Sequence, residues 1–138
     1  MIEIKNNDAI GYNRIINYDT WTVANLSSCP DTCIERIDSF QKHFETDEVF
    51  ILQKGNATLI ILESDEFNID KLKFIRLEPN KLYNVKKNTY HQHILDENSN
   101  LLIVENSNTS DDLNSKRIYL TDKQKEEFIS YARRTLNV

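Results

Sequence analysis

The chain holds only three histidines, and they fall in two short stretches: His43 in "FQKHFETDEVFILQKG", and His91 with His93 in "YNVKKNTYHQHI". Imidazole nitrogens and carboxylate oxygens are the donors that hold first-row transition metals. Two histidines and one carboxylate are the minimum set that leaves coordination positions open. In the first stretch Gln41, His43 and Glu45 alternate onto one face of an extended strand. A turn near Thr46–Asp47 and a second strand starting at Glu48 let His43 and Glu48 meet across the mouth of a hairpin. His91 and His93 share one face of a later strand, and laid beside the first pair that strand gathers these polar side chains inside one barrel. The plainer reading is a family of hydrogen-bonded interior residues in an ordinary hairpin, with Glu45 and Asp47 solvated in either case.

The elements that must position these residues are short strands. Residues 11–18, 21–26, 33–40, 48–53, 57–62, 71–77, 81–85, 89–94 and 100–105 are rich in Ile, Val, Tyr, Phe and Thr and are bounded by Asn, Asp, Ser, Gly or Pro. Many short strands at close spacing predict an all-β sandwich or closed barrel. The period changes only at the end, where "LTDKQKEEFISYARRTLNV" sets Phe128, Ile129, Ala132 and Leu136 on one helical face. Thr121 and Gln124 supply a capping box, and Arg133 and Arg134 near the far end suit the helix dipole. The expectation is one domain over 1–138, with a barrel at about 10–106 and a helix at about 121–136 that serves packing or dimerisation.

Composition closes off several function classes. A net charge of −5 and a pI near 5.2 leave no basic stripe with which to release counterions from nucleic acid. The runs "ATLIILE" and "NLLIVEN" are far shorter than the ~20 residues of a membrane-spanning helix, and the first residues show no charged-then-apolar signal pattern. Cys29 and Cys33 in "SCPDTC" lack a second pair to complete a zinc site and read as free thiols in a reduced, cytoplasmic setting. No serine or cysteine sits in a nucleophile motif, and with Gly11 and Gly55 as the only glycines there is no phosphate-cradling loop.

On these residues the chain resembles the cupin family. The first cupin motif is a histidine, one residue, a second histidine, three or four residues, a glutamate, six residues and a glycine. Gln41, His43, Glu48 and Gly55 occupy those places. The second motif is a proline, a glycine two residues on and a histidine three beyond it; Lys86, Asn88 and His91 fall there, and Leu95 stands where the family has asparagine. The resemblance spans about residues 20 to 106 and is nearest to small single-domain bacterial cupins of the ureidoglycolate lyase type. It implies a double-stranded β-helix, or jelly-roll barrel, with a C-terminal α-helix, and a homodimer. Asn at position 88 suits the change from glycine because it tolerates the left-handed turn conformation.

The resemblance also implies a ligand set of His43, Glu48 and His91 for Mn, Fe, Ni, Zn or Co, with Gln41 offering only an amide oxygen. His93 is then a substitute fourth ligand or a group behind the ligands. Glu48 is either a ligand or, released from the metal, a general base. Trp21, Tyr83 and Tyr90 are candidates for the wall of a small-molecule pocket, with core or dimer-interface positions as the alternative. Two functions follow: Lewis-acid isomerase, lyase or oxygenase chemistry on a small polar metabolite, or a metal-free module that binds a sugar or small acid without catalysis. An inert dimeric scaffold is the third.

Overall fold

The computed structural model describes residues 1–110 and 113–138. Ten strands form two antiparallel five-stranded sheets. The first sheet runs in the order β1 (Gly11–Tyr18), β2 (Trp21–Ser27), β9 (Asn100–Asn106), β4 (Glu48–Lys54), β7 (Leu82–Val85). The second runs β10 (Ser115–Tyr119), β3 (Ser39–His43), β8 (Tyr90–Leu95), β5 (Ala57–Leu62), β6 (Leu72–Arg76). This is the expected all-β jelly roll, closed at its C-terminal side by one helix, α1 (Asp122–Leu136).

Strand alternation sorts side chains into two cores. Ala24, Leu26, Phe50, Leu52, Leu59, Leu101 and Ile103 fill the space between the sheets. The outer face of the second sheet carries Phe40, Ile60, Leu62, Tyr90 and Ile94 against Phe128 and Ala132 of α1. The helix begins as its sequence predicts: Thr121 Oγ1 accepts the Gln124 N–H and Gln124 Oε1 accepts the Thr121 N–H. Its apolar stripe seats Phe128 edge-on to Phe40, with ring centroids 5.9 Å apart.

Two sequence expectations need correction. Residues 33–40 are not one strand: Pro30–Thr32 and Ile34–Arg36 are 3-10 turns, and the strand begins only at Ser39. Ile34, Ile37 and Phe40 are all buried, and their three-residue spacing is the period of a 3-10 helix rather than of a strand. The barrel also extends past residue 106, because Ser115–Tyr119 pairs with β3. Its sequence, "SKRIY", has one aliphatic residue and two cations, the composition of an edge strand, and so lacks an apolar alternation.

The β4–β5 turn depends on Gly55. Its φ is +78°, and a Cβ built there would lie 2.2 Å from Ser99 Oγ and 2.7 Å from Ser99 Cα. The same hydroxyl accepts the Asn56 N–H at 2.8 Å, so Ser99 cannot withdraw without exposing a donor. Gly55→Ala is therefore expected to destabilise the fold by about 2 kcal/mol or more. A chemical-denaturation curve compared with the parent checks this, and an unchanged midpoint would show that the turn relaxes freely.

Candidate metal centre

His43 and Glu48 lie close in sequence yet belong to opposite sheets. β3 and β4 do not pair; the segment between them crosses the open end of the barrel, so the expected hairpin is a sheet-to-sheet crossing. Three residues, Asn114, Asp47 and Asn88, brace it. Asn114 Oδ1 accepts the N–H groups of Phe44 and Glu45 at 3.0 and 2.8 Å. Asp47 accepts from the Lys87 N–H, the Asn84 amide and the Lys86 ammonium. The Asn88 N–H donates to His43 O at 2.7 Å, with Asn88 at φ 62°, the left-handed conformation its identity allows. The Lys87 N–H first, then Asn84 and Lys86, hold the Asp47 carboxyl down at about 2. Asp47 is thus a brace, whereas the Glu45 side chain is exposed, as expected.

These braces bring His43, Glu48 and His91 together. Glu48 Oε2 lies 3.0 Å from His43 Nε2 and 2.9 Å from His91 Nε2, and all three residues are buried. The far nitrogens are fixed as well: His91 Nδ1–H donates to Thr89 O at 2.9 Å. His43 Nδ1 lies 2.6 Å from Ser115 Oγ, whose own proton goes to Thr109 O. A histidine held at Nδ1 in this way presents Nε2 to whatever occupies the centre. Burial raises the Glu48 carboxyl, but hydrogen bonds and charge from the two imidazoles outweigh it and hold the group below the usual carboxylate range. Glu48 in turn raises His91 against the opposing effect of burial.

The donor set fits a divalent transition metal. The three ligand atoms lie within 4.8 Å of one another. Ligands ~2.1 Å from one ion stand roughly 3.0–3.4 Å apart at ordinary angles, close to the 3.0 and 2.9 Å that separate Glu48 Oε2 from the two histidines. Among the described residues this is the group so arranged.

Above it opens a cavity of about 520 Å³. Gln41 and His93 line it, as do Tyr12, Arg14, Glu105 and Arg117. Gln41 stands opposite His91 in the β3–β8 register, on the wall of the cavity. His93 is the next inward residue of β8; its Nδ1 is engaged by Gln92 Oε1 at 2.7 Å and its ring sits edge-on to Phe50. Burial pushes it down to about 4, keeping it neutral. The aromatic candidates lie elsewhere. Tyr90 points to the opposite face, into the core beneath α1, with the Lys42 ammonium 4.6 Å from its ring centroid. Tyr83 packs against the inner core at the other side of the barrel, its hydroxyl accepting the Glu78 N–H. Trp21 is on the outside of the first sheet, beside Tyr18. Alternation explains Tyr90, since the neighbours of an inward histidine on a strand must face outward.

Glu105 is a site residue that the sequence reading passed over. It continues the inward set Leu101, Ile103 of β9, and one step beyond the Val49–Val104 pair the register sets it beside Glu48. Burial first, and then the Glu48 charge, push its carboxyl up to about 7. Its proton is shared toward Glu48, while the Tyr12 hydroxyl donates to it from the other side. Arg14 Nε donates to that hydroxyl at 3.1 Å, and its other nitrogens reach Ser107 O and Thr109 Oγ1. An acid interrupting an aliphatic alternation, as in "LLIVE", is the signal that marks such a residue.

The chain matches no protein-family model and no curated protein sequence. It is similar in fold to a cupin-2 domain protein of Shewanella frigidimarina, at 18% identity over 70% of this chain and 79% of that one, TM-score 0.50. Streptomyces PAC13, in a structure with uridine, aligns over 89% of both chains at 10% identity and TM-score 0.57. At such identities the likeness is one of fold, and the fold is the cupin-type jelly roll. No helix among the described residues is long and apolar enough to cross a membrane.

The titrations of Glu105 and His93 oppose one another. Glu105 binds its proton more tightly folded than unfolded, so its contribution is full below about pH 4.5 and is lost as pH rises through about 7. His93 is held neutral, so its contribution is full above about 6.5 and is lost as pH falls towards 4. Glu105→Gln keeps an acceptor for Tyr12 and cannot ionise. In chelator-treated protein, thermal melts from pH 5 to pH 8 should fall less for the variant than for the parent; parallel profiles would mean that Glu105 ionises normally.

Proposed function

We propose that the protein binds one divalent transition metal through His43, Glu48 and His91 and acts on a small polar metabolite held in the cavity above. The observation that supports this most is the convergence of both Nε2 atoms on one Glu48 oxygen, each imidazole oriented by a bond at its other nitrogen. A metal there would act as a Lewis acid on a carbonyl or carboxylate oxygen, as isomerase, lyase or oxygenase chemistry requires. The chain's own groups supply the rest. Glu105 holds a proton at the cavity wall, Tyr12 orients it, and Arg14 fixes Tyr12. Gln41 and His93 offer neutral polar contacts to the bound molecule. The cavity lies within the usual ~300–1,000 Å³ of small-molecule sites. The free thiols Cys29 and Cys33 suit a reducing, cytoplasmic setting.

A second reading has its own support. Without a metal the trio already forms a compact polar group around Glu48 Oε2, and the structurally similar Streptomyces protein is described with uridine. On that reading the cavity binds a small polar ligand with no metal and no catalysis.

Elemental analysis of tag-free protein separates the two. Metal binding predicts about one equivalent of a transition metal, absent from His43→Ala/His91→Ala while the far-ultraviolet dichroism of the β fold persists. No uptake from Mn, Fe, Co, Ni or Zn salts would discard the metal and leave the ligand-binding module.

A further inference from the structure

The two walls of the cavity differ in charge. Among the described lining residues, both carboxyls, Glu48 and Glu105, stand on β4 and β9 of the first sheet, beside the apolar Leu26 and Ile103. The second sheet contributes Gln41, His43, His93 and Arg117, and no acid. Alternation sets Arg117 on that wall: Ile118 packs in the core beneath α1, so its neighbour on β10 faces inward. In the strand register Arg117 lies opposite Gln41, and Gln41 lies opposite His91. The three form one row across β10, β3 and β8, with the Cα atoms of Arg117 and His91 two strand spacings, roughly 10 Å, apart. A molecule lying over Gln41 therefore has a candidate metal ligand at one end and a guanidinium at the other.

The lining holds a second arginine, but Arg14 is a brace. Its three side-chain nitrogens donate to the Tyr12 hydroxyl, Ser107 O and Thr109 Oγ1, tying β1 to the 107–109 turn. Arg117 Nη1 donates to Ser39 Oγ at 3.2 Å, which steadies the guanidinium on its wall. A guanidinium carries five N–H donors in one plane, so a ligand can join the partners it already has. We infer that the molecule bound in this cavity carries a carboxylate, and that Arg117, with the Gln41 amide beside it, is the residue that recognises it. Paired N–H groups of a guanidinium match a carboxylate in shape as well as charge. The opposite wall sets the direction: Glu48 and Glu105 repel an anion, so the charged end of the ligand turns to the second sheet. A phosphate, with up to two charges, meets that repulsion more strongly. The inference rests on the reading of the cavity as a small-molecule site and is independent of the metal.

Calorimetric titration of the full chain, both metal-loaded and chelator-treated, tests it with lactate, pyruvate, glycerate and malate, each beside its primary amide, and with methylphosphonate. At least one acid should bind about tenfold to a hundredfold more tightly than its amide. Arg117→Met should remove that advantage while leaving amide affinity and the dichroism spectrum unchanged, and Arg117→Lys should restore part of it. If Arg117→Met fails to fold, the acid-to-amide ratio of the parent and of Arg117→Lys decides. Acids bound no better than amides would overturn the inference and leave the cavity to neutral ligands. An advantage that survives Arg117→Met would overturn it by placing the contact elsewhere, and methylphosphonate bound more tightly than every acid would replace the carboxylate with a phosphate. No binding of any probe would overturn it together with the reading of the cavity.

Discussion

One oxygen, Oε2 of Glu48, lies within hydrogen-bond distance of Nε2 of both buried histidines, and the rest of the site is arranged around it. A carboxylate taken out of water is costly unless opposite charge or good hydrogen bonds replace the solvent. The two imidazoles do this, which is why burial fails to raise the group. They have to be delivered from the other sheet, by β3 and β8, while Glu48 comes from β4. The trio therefore staples the two layers together at the open end of the barrel. Each backbone device nearby, from Asn88 donating to His43 to Asp47 capping the 84–87 segment, keeps that end in register.

The second carboxyl, Glu105, explains how a cavity so close to Glu48 tolerates another acid. Two like charges side by side cannot both ionise cheaply, so Glu105 binds its proton more tightly than an ordinary carboxyl does and is tied to Tyr12. The result is a graded wall. Glu48 lies at the base, the more weakly acidic Glu105 lies beside it, and Arg14 stands behind the phenol that donates to Glu105. A neutral His93 completes the lining without adding charge.

Much of this was legible in the residues, for local reasons. The helix declared itself through Thr121, Gln124 and the Phe128–Ala132 stripe, because capping and periodicity act within one or two turns. His43, Glu48 and His91 were legible as a set because their types are rare in this chain and fit one chemistry. What stayed hidden depends on contacts distant in sequence. The passage from His43 to Glu48 looks like a hairpin until the partners of β3 and β4 are known. The charged strand β10 has no pattern of its own, and its place follows from pairing with β3. Glu105 was readable from alternation alone, but its relation to Glu48 needed the β4–β9 register.

The alternation along β8 has a mechanical consequence. His91 and His93 face the barrel interior, each edge-on to Phe50, while Tyr90 and Ile94 on the same strand are packed under α1. Moving either imidazole by a rotation of the strand would pull an outward neighbour from a packed aromatic core. That wall is backed by a helix packed on the far face of its sheet. The facing wall is built otherwise: Tyr12 and Arg14 stand on β1, an edge strand paired on one side only. The barrel interior thus lies between a sheet backed by a helix, which holds His43 and His91, and a sheet that ends in the edge strand β1, which holds Tyr12 and Arg14.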